Sequence, residues 1–420
     1  MLYPQNLNCN FCLENRVYFI VMNGSKRTLF IIIGCIFFYA VFTLVSYQIF
    51  SKAGSTTQKK STVTEPIVKS KFPTPDPSLP KTEVCPLNGL SYTKPEKEIW
   101  SQRRPLAVMI ENSKESRPQS GLSFADVVYE AIAEGGITRF MGIFHCGSAY
   151  AGNLTIAPVR SARIYYVNLL PEYDPLYVHV GGAGNCDDPN VDPRAKALCA
   201  IQRNKVKDLD QMGRAGDFKT CHRLTNRLDH EVAWEHTMAC FVEELHKAGK
   251  KWGWTNVDKQ GVSWDKYFIP WKFTAEPNLA DTQSALNISY PFWDINKEFQ
   301  SDYDVAWQYD SASGNYLRSN GGVKSIDLET GEPMSYKTVI VQLVKETHLN
   351  DLEKHLLYDV IGSGKGYVFT QGKAIAVTWS KNTRTSRTTF INSKTGKEIQ
   401  FIPGKIWISL VPSTNTITFN

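Results

Sequence analysis

Apolar positions along this chain fall into three regimes. Leu29–Phe50 is almost unbroken apolar sequence, and about 20 such residues suffice to cross a bilayer as one helix. Downstream, short apolar runs alternate with stretches of helical spacing as far as residue 255. Beyond Tyr303 the spacing shortens again, and β-type runs follow one another through turns that contain Gly.

In the middle regime Leu106–Ile110 reads as a buried strand. Ser123 and Asp126 read as the start of a helix that runs to Glu134 and stops at Gly135-Gly136. Ile137–Phe144 reads as a second strand, and Leu154–Val159 leads into Arg160-Ser161-Ala162-Arg163. A helical stretch Ile164–Leu170, a strand Leu176–Val180 and a short helix Ala195–Arg203 follow. Asp229–Lys251 is the clearest amphipathic pattern and predicts one long helix. Residues 252–290 are aromatic and read as a loop-like connection. Strands and helices in this alternation predict an α/β sheet.

The last regime predicts strands at Asp304–Tyr309, Tyr316–Ser319, Lys337–Val344, Gly366–Thr370, Ala374–Trp379, Thr388–Ile391 and Lys405–Val411. The fold class expected is therefore α+β: a mixed α/β N-terminal domain and a mostly antiparallel β-rich C-terminal domain, behind a single transmembrane helix. The boundaries expected are a cytoplasmic N-terminus at 1–28, the anchor at 29–50, a Pro/Ser/Thr/Lys linker at 51–84, the first domain at 85–255, a connection at 256–295 and the second domain at 296–420. Lys26 and Arg27 before the anchor place the N-terminus inside and the folded part outside. Met22 opens MNGSKRT, which reads as a second translation start. Ile32-Ile33-Gly34-Cys35 also resembles a lipobox, so lipid attachment at Cys35 is the alternative anchor.

Composition removes several classes. The 420 residues are 42% hydrophobic and 21% charged, which supports packed cores rather than disorder. The net charge of +6 is small for this length, and no basic run interleaves with aromatics, so nucleic acid is not an expected partner. Six cysteines follow the anchor and suit an exported, oxidised domain; only Cys186 with Cys199 stands out as a pair. Cys9 and Cys12 have CxxC spacing but no second ligand pair nearby, so no metal is expected. Gly181-Gly182-Ala183-Gly184 lacks the Lys and Ser/Thr of a phosphate loop, so no cofactor is expected.

The candidate chemistry lies between Arg103 and Arg163, where charges interrupt apolar runs. Glu111, Arg117, Asp126, Glu130, Glu134, Arg139, Arg160 and Arg163 are the candidate ligand-binding residues. A charge leaving water must be paired, so such residues form either an ion-pair network or a ligand site. Asp126, Glu130 and Glu134 share one stripe of the expected helix. On the structural reading Glu134 pairs with Arg139, and Glu130 with Arg160 or Arg163. On the functional reading the arginines offer planar forks for carboxylate or phosphate, and the acids offer a cation site or an acid and a base. Ser161 has no evident base, and His236 reads as an interface residue. Trp307, Trp379 and Trp407 read as core.

The run RPLAVMIENSKESRPQSGLSFADVVYEAIAEGGITRFMGIF, followed by APVRSAR, resembles the N-terminal domain of the YerB-like family of bacterial envelope lipoproteins. VAWQYDSASGNYLRSNGGVKSIDLETGEPMSYKTVIVQ, GSGKGYVFTQGKAIAVTWSK and IPGKIWISLVP resemble its C-terminal domain. The resemblance covers roughly Cys85–Pro412. It departs at Ala157, where relatives usually read Gly, in the long anchor, and in residues 181–225 and 252–290. It implies an exported, membrane-tethered, two-domain envelope protein and no established reaction. The expected function is a non-enzymatic binding or scaffold module for a cell-wall polymer or a wall-synthesis protein, with an Arg/acid cleft for an anionic group. The rival expectation is a metal- or acid/base-dependent enzyme acting on an envelope glycopolymer.

Overall fold

A central mixed sheet takes its strands from both the α/β and the β-rich regimes. In chain order its strands are β1 (Leu106–Glu111), β2 (Val127–Glu134), β3 (Ile137–Phe144), β4 (Leu176–His179), β5 (Asp208–Asp210), β6 (Gln283–Ser284), β7 (Thr338–Val344), β8 (Gly362–Thr370), β9 (Lys373–Lys381), β10 (Thr389–Asn392) and β11 (Ile406–Pro412). Their spatial order is β6-β9-β8-β7-β11-β2-β3-β1-β4-β5, with β10 on β9. The computed structural model describes residues 72–213, 219–277, 279, 282–293 and 302–420.

β11 runs parallel to both β7 and β2, and β4 runs parallel to β1 and β5. β3 is antiparallel to β1 and β2. The carboxyl ends of β1, β2, β4 and β5 therefore lie along one edge of the sheet. The expected mostly antiparallel C-terminal pattern holds for β7 with β8 and β8 with β9, but β7 and β11 are parallel neighbours. A separate antiparallel sheet carries Asn287–Tyr290, Val305–Asp310 and Asn315–Asn320. The described architecture is β-rich with few helices: α1 (Lys94–Trp100), α2 (Ile164–Val167), α3 (Ala197–Arg203) and α4 (Val242–Lys251).

Two helix expectations are corrected. The segment read as a helix from Ser123 to Glu134 is a short 3-10 turn at Leu122–Phe124 followed by strand β2. Val127, Val128 and Tyr129 favour a pleated surface, and β2 is almost wholly buried between β3 and β11. Gly135 and Gly136 do not cap a helix. Both have positive φ, 57° and 78°, as a tight hairpin turn between β2 and β3 requires. The long helix expected over Asp229–Lys251 is only α4, at Val242–Lys251. Upstream, Met238–Phe241 is a strand paired with Cys221–Arg223 and locked by the Cys221–Cys240 disulfide. α4 lies so close to β4 that a Cβ on Gly249 would sit 2.5 Å from Leu176 Cδ1.

α1 begins with a reciprocal capping box between Thr93 and Glu96, with Pro95 in its first turn. The core is rich in rings: Trp407 meets Phe140, Trp307 and Tyr336 edge-on at 5.0–5.4 Å. Trp307, Trp379 and Trp407 are buried. Burying each such side chain contributes roughly 1.5–3 kcal/mol. Disulfides join Cys85 to Cys146 and Cys186 to Cys199 as well. Residues 69–420 form one compact unit. The expected anchor at 29–50, the alternative lipid site at Cys35 and the CxxC at Cys9 and Cys12 lie outside the described residues. Among the described residues no helix is long and apolar enough to cross a membrane.

Candidate functional site

The segment 157–163 stitches the carboxyl ends of β1 and β4 together. The Arg160 amide donates to the Met109 carbonyl at 3.0 Å, and the Val180 amide donates to the Arg160 carbonyl at 3.1 Å. The Ala162 amide donates to the Gly181 carbonyl at 2.9 Å. This threading delivers Arg160 and Arg163 to the edge where Glu111 ends β1 and Glu134 ends β2. Arg139, near the start of antiparallel β3, stands directly across from Glu111. In open, mostly parallel α/β sheets ligands bind outside the carboxyl ends of the strands.

The charges interlock. Glu134 pairs with Arg163 and, at 3.4 Å, with Arg139. Arg139 also donates to the Ser161 carbonyl at 2.9 Å. Burial pushes the Glu134 carboxyl up, but the Arg163 and Arg139 guanidiniums outweigh it and hold it below its ordinary value. Glu111 forms an ion pair with Arg160, Nε to Oε1 at 3.1 Å, and a hydrogen bond with His236 Nδ1 at 2.6 Å. The bond to Glu111 raises the His236 imidazole against the effect of burial. Arg160 also donates to the Glu235 carbonyl at 3.0 Å, and its side chain keeps 24% of its surface in solvent. Beside it, Arg223 lies 4.6 Å over the ring of Trp234, which is 64% exposed. Arg139, Arg160, Arg163 and Arg223 thus face Glu111, Glu134 and Glu235, and His236, which also lies 3.8 Å from Glu115, adds positive charge when protonated.

Five of the eight predicted residues meet here: Glu111, Glu134, Arg139, Arg160 and Arg163. The expected Glu134–Arg139 pair forms, whereas Glu130 reaches neither Arg160 nor Arg163. Glu130 points into the core and binds Arg318 Nη2 at 2.7 Å, Thr138 Oγ1 at 2.9 Å and Trp407 Nε1 at 3.1 Å. Arg318 lies 4.8 Å over Trp407 and 5.4 Å over Phe140. Asp126 accepts Asn88 Nδ2 at 2.6 Å and the amides of His145, Cys146 and Gly147 at 2.8–3.0 Å. Arg117 donates to the Asn112 and Asp302 carbonyls and lies 5.0 Å over Tyr303. Asp126 also lies near Cys85 and Cys146, but the disulfide between those two sulfurs removes them as thiolate ligands. Asp126 and Glu130 are dry and satisfied by protein donors, and Glu134 is neutralised by two arginines. This leaves no uncommitted base among the three.

Sequence reasoning missed Arg223, Trp234 and Arg318, none of which sits in a charged run. It also missed a second dry cluster. Glu172 binds Lys381 Nζ and Arg387 Nη1, each at 3.0 Å, and the Thr388 hydroxyl at 2.7 Å. Such partners lie more than 200 positions apart, so nothing local reveals them. Cavities of about 350, 400 and 540 Å³ open elsewhere on the molecule, and none of these three is lined by the five edge residues.

Two family descriptions match. "Protein of unknown function (DUF3048) N-terminal domain" covers residues 89–255, and the corresponding C-terminal domain covers 295–408. The chain belongs to the DUF3048 family. A relative within reach of this DUF3048 protein is "Putative lipoprotein YerB" of Bacillus subtilis (strain 168). It is 30% identical over 348 residues, spanning 82% of this chain and 91% of the relative. The crystal structure of the YerB protein from Bacillus subtilis superposes with a TM-score of 0.62 at 28% identity, covering 80% of this chain and 99% of that one.

Proposed function

We propose that this DUF3048 protein is a membrane-anchored envelope protein that binds an anionic group of a cell-wall polymer at the carboxyl edge of its central sheet. The name of its Bacillus relative, a lipoprotein, supports an anchored location, with residues 29–50 or a lipid on Cys35 as the tether. The observation that carries the binding role is the pair of guanidiniums that reach solvent at this edge. Arg160 and Arg223 both reach solvent beside the exposed Trp234, while Glu111 and Glu134 are already paired and Glu235 and Glu115 offset part of the charge from the rim. An arginine fork recognises a carboxylate or a phosphate in two-point geometry. The ring of Trp234 offers an apolar face beside that fork.

The test is calorimetric titration of the full-length chain with a polyol-phosphate wall polymer and with a soluble muropeptide. Arg160→Gln and Arg223→Gln are compared with the wild type. The expected outcome is saturable binding that weakens about tenfold or more in each variant, which corresponds to at least about 1.4 kcal/mol, with an unchanged melting temperature. Equal binding by wild type and both variants refutes the assignment, as does the absence of binding to either ligand.

A further inference from the structure

We propose that the opposite, amino edge of the sheet carries a second ligand site, and that it takes a single saccharide ring bearing a carboxylate or a phosphate. The site is the cavity of about 540 Å³ bordered by Tyr173, Lys205, Trp264, Tyr267, Phe268 and Arg384. Its volume lies inside the roughly 300–1,000 Å³ range of small-molecule pockets. Asp174 and Lys207, just before β4 and β5, place it at their amino ends, away from the cluster at the carboxyl ends.

One wall is aromatic. Phe268 lies 5.3 Å from Trp264 and 6.2 Å from Tyr173, centroid to centroid. Tyr267 stands at the mouth with 80% of its surface in solvent. Lys266 Nζ lies 5.2 Å over this ring, and the rest of its exposed surface is open to an apolar partner. The wall is also rigid. Arg387 is clamped 3.6 Å over Trp271 and 4.7 Å over Tyr173, and its guanidinium is held by buried Glu172. A wall fixed in this way loses little freedom on binding.

The charge around the cavity is unbalanced. Asp174 is committed to Arg104 and to Lys207, the latter at 2.8 Å. Asp258 accepts the amides of Gln260 and Val262, both at 2.9 Å, and its negative charge is set against Lys207 and Arg104. Glu172 is neutralised by Lys381 and Arg387. Lys205 and Arg384 remain without a carboxylate partner among the described residues. Burial alone draws the half-buried Arg384 guanidinium below its ordinary value, with no carboxylate opposing it. Two cations without carboxylate partners among the described residues, bordering the same cavity as the aromatic rings, match a ligand with one apolar ring face and one anionic substituent. A neutral sugar would satisfy only the wall, and a bare anion only the cations.

The proposal does not rest on the function assigned to the carboxyl-edge cluster. It is tested by titrating the full-length chain with N-acetylmuramic acid, glucose 6-phosphate, N-acetylglucosamine and inorganic phosphate. At least one charged sugar is expected to bind more tightly than both the neutral sugar and the free anion. Arg384→Gln and Tyr267→Ala are each expected to weaken that binding about tenfold. Both residues are at least partly exposed, and an unchanged melting curve for each variant verifies the fold; Lys205→Gln provides an independent third variant. Arg160→Gln combined with Arg223→Gln is expected to leave this binding unchanged. The proposal is overturned if no charged sugar binds up to about 10 mM. It is equally overturned if the cavity variants bind like wild type, or if the Arg160/Arg223 variant abolishes the signal.

Discussion

The pair Glu130–Arg318 ties β2 to the second, separate sheet, and its removal has a calculable effect. Both side chains are essentially dry, at 0% and 1% exposure. Glu130→Leu leaves Arg318 buried among Trp407, Phe140 and Trp307 with no counter-charge. Stranding a buried charge costs about 3–5 kcal/mol. Over the unit that spans 69–420, the unfolding entropy is about 0.7 kcal/mol/K at the usual per-residue value, so the melting temperature should fall by about 4–7 °C. Arg318→Met should fall by a similar amount, because Glu130 then keeps only Thr138 and Trp407 as donors. The double variant Glu130→Leu/Arg318→Met strands neither charge. Trp407 retains Ser409 Oγ at 3.2 Å, so the double variant should lose only about 1–2 kcal/mol. Differential scanning calorimetry of the four proteins completes the cycle. Single variants that melt within about 2 °C of wild type, or a double variant that falls by the sum of the singles, would refute the account of this pair as a structural seam.

Three further outcomes follow from the same geometry. Replacing Cys85 and Cys146 by Ser opens a loop with a sequence separation of 61 and should cost about 4 kcal/mol on the chain-entropy model, read as a lowered denaturation midpoint. His145 is buried against Trp100 and Trp264, and burial pushes its imidazole down to about 3. The unfolded chain therefore binds a proton below about pH 6.5 that the folded chain refuses, so this residue's contribution is complete above that pH and is lost as pH falls toward 3. Melting temperatures measured from pH 6.5 to 5 should show a shallower slope in His145→Gln. His236 is shifted the other way by Glu111, so anion binding at the carboxyl edge should weaken as pH rises through its elevated value. Titrations at pH 6 and pH 9 should differ in wild type and converge in His236→Gln.

The strands were largely legible because their apolar runs are short and bounded. β1, β3 and the later strands lie within a few positions of the runs that announced them. β2 was not legible as a strand because Asp126, Glu130 and Glu134 are spaced by four. That spacing puts residues on one face of a helix and equally on one face of a strand. A Gly-Gly pair ends a helix or turns a hairpin, and only the neighbouring strand decides between them. The candidate site was half legible. Glu134 and Arg139 face each other across a hairpin, so their pairing is local. Glu130 and Arg318 are far apart in sequence, as are Glu111 and His236, and no spacing rule reaches across such gaps.

The position of β11 bears on the order in which the protein is made. Residues 406–412 fill the slot between β7 and β2, yet they leave the ribosome long after β2 itself. Throughout that interval Val127–Glu130 presents an open strand edge, the kind of surface on which nascent chains cross-pair. A product halted before Ile406 keeps that edge uncovered however well the rest has folded. Premature termination between β3 and Ile406 should therefore yield insoluble fragments rather than a smaller working protein.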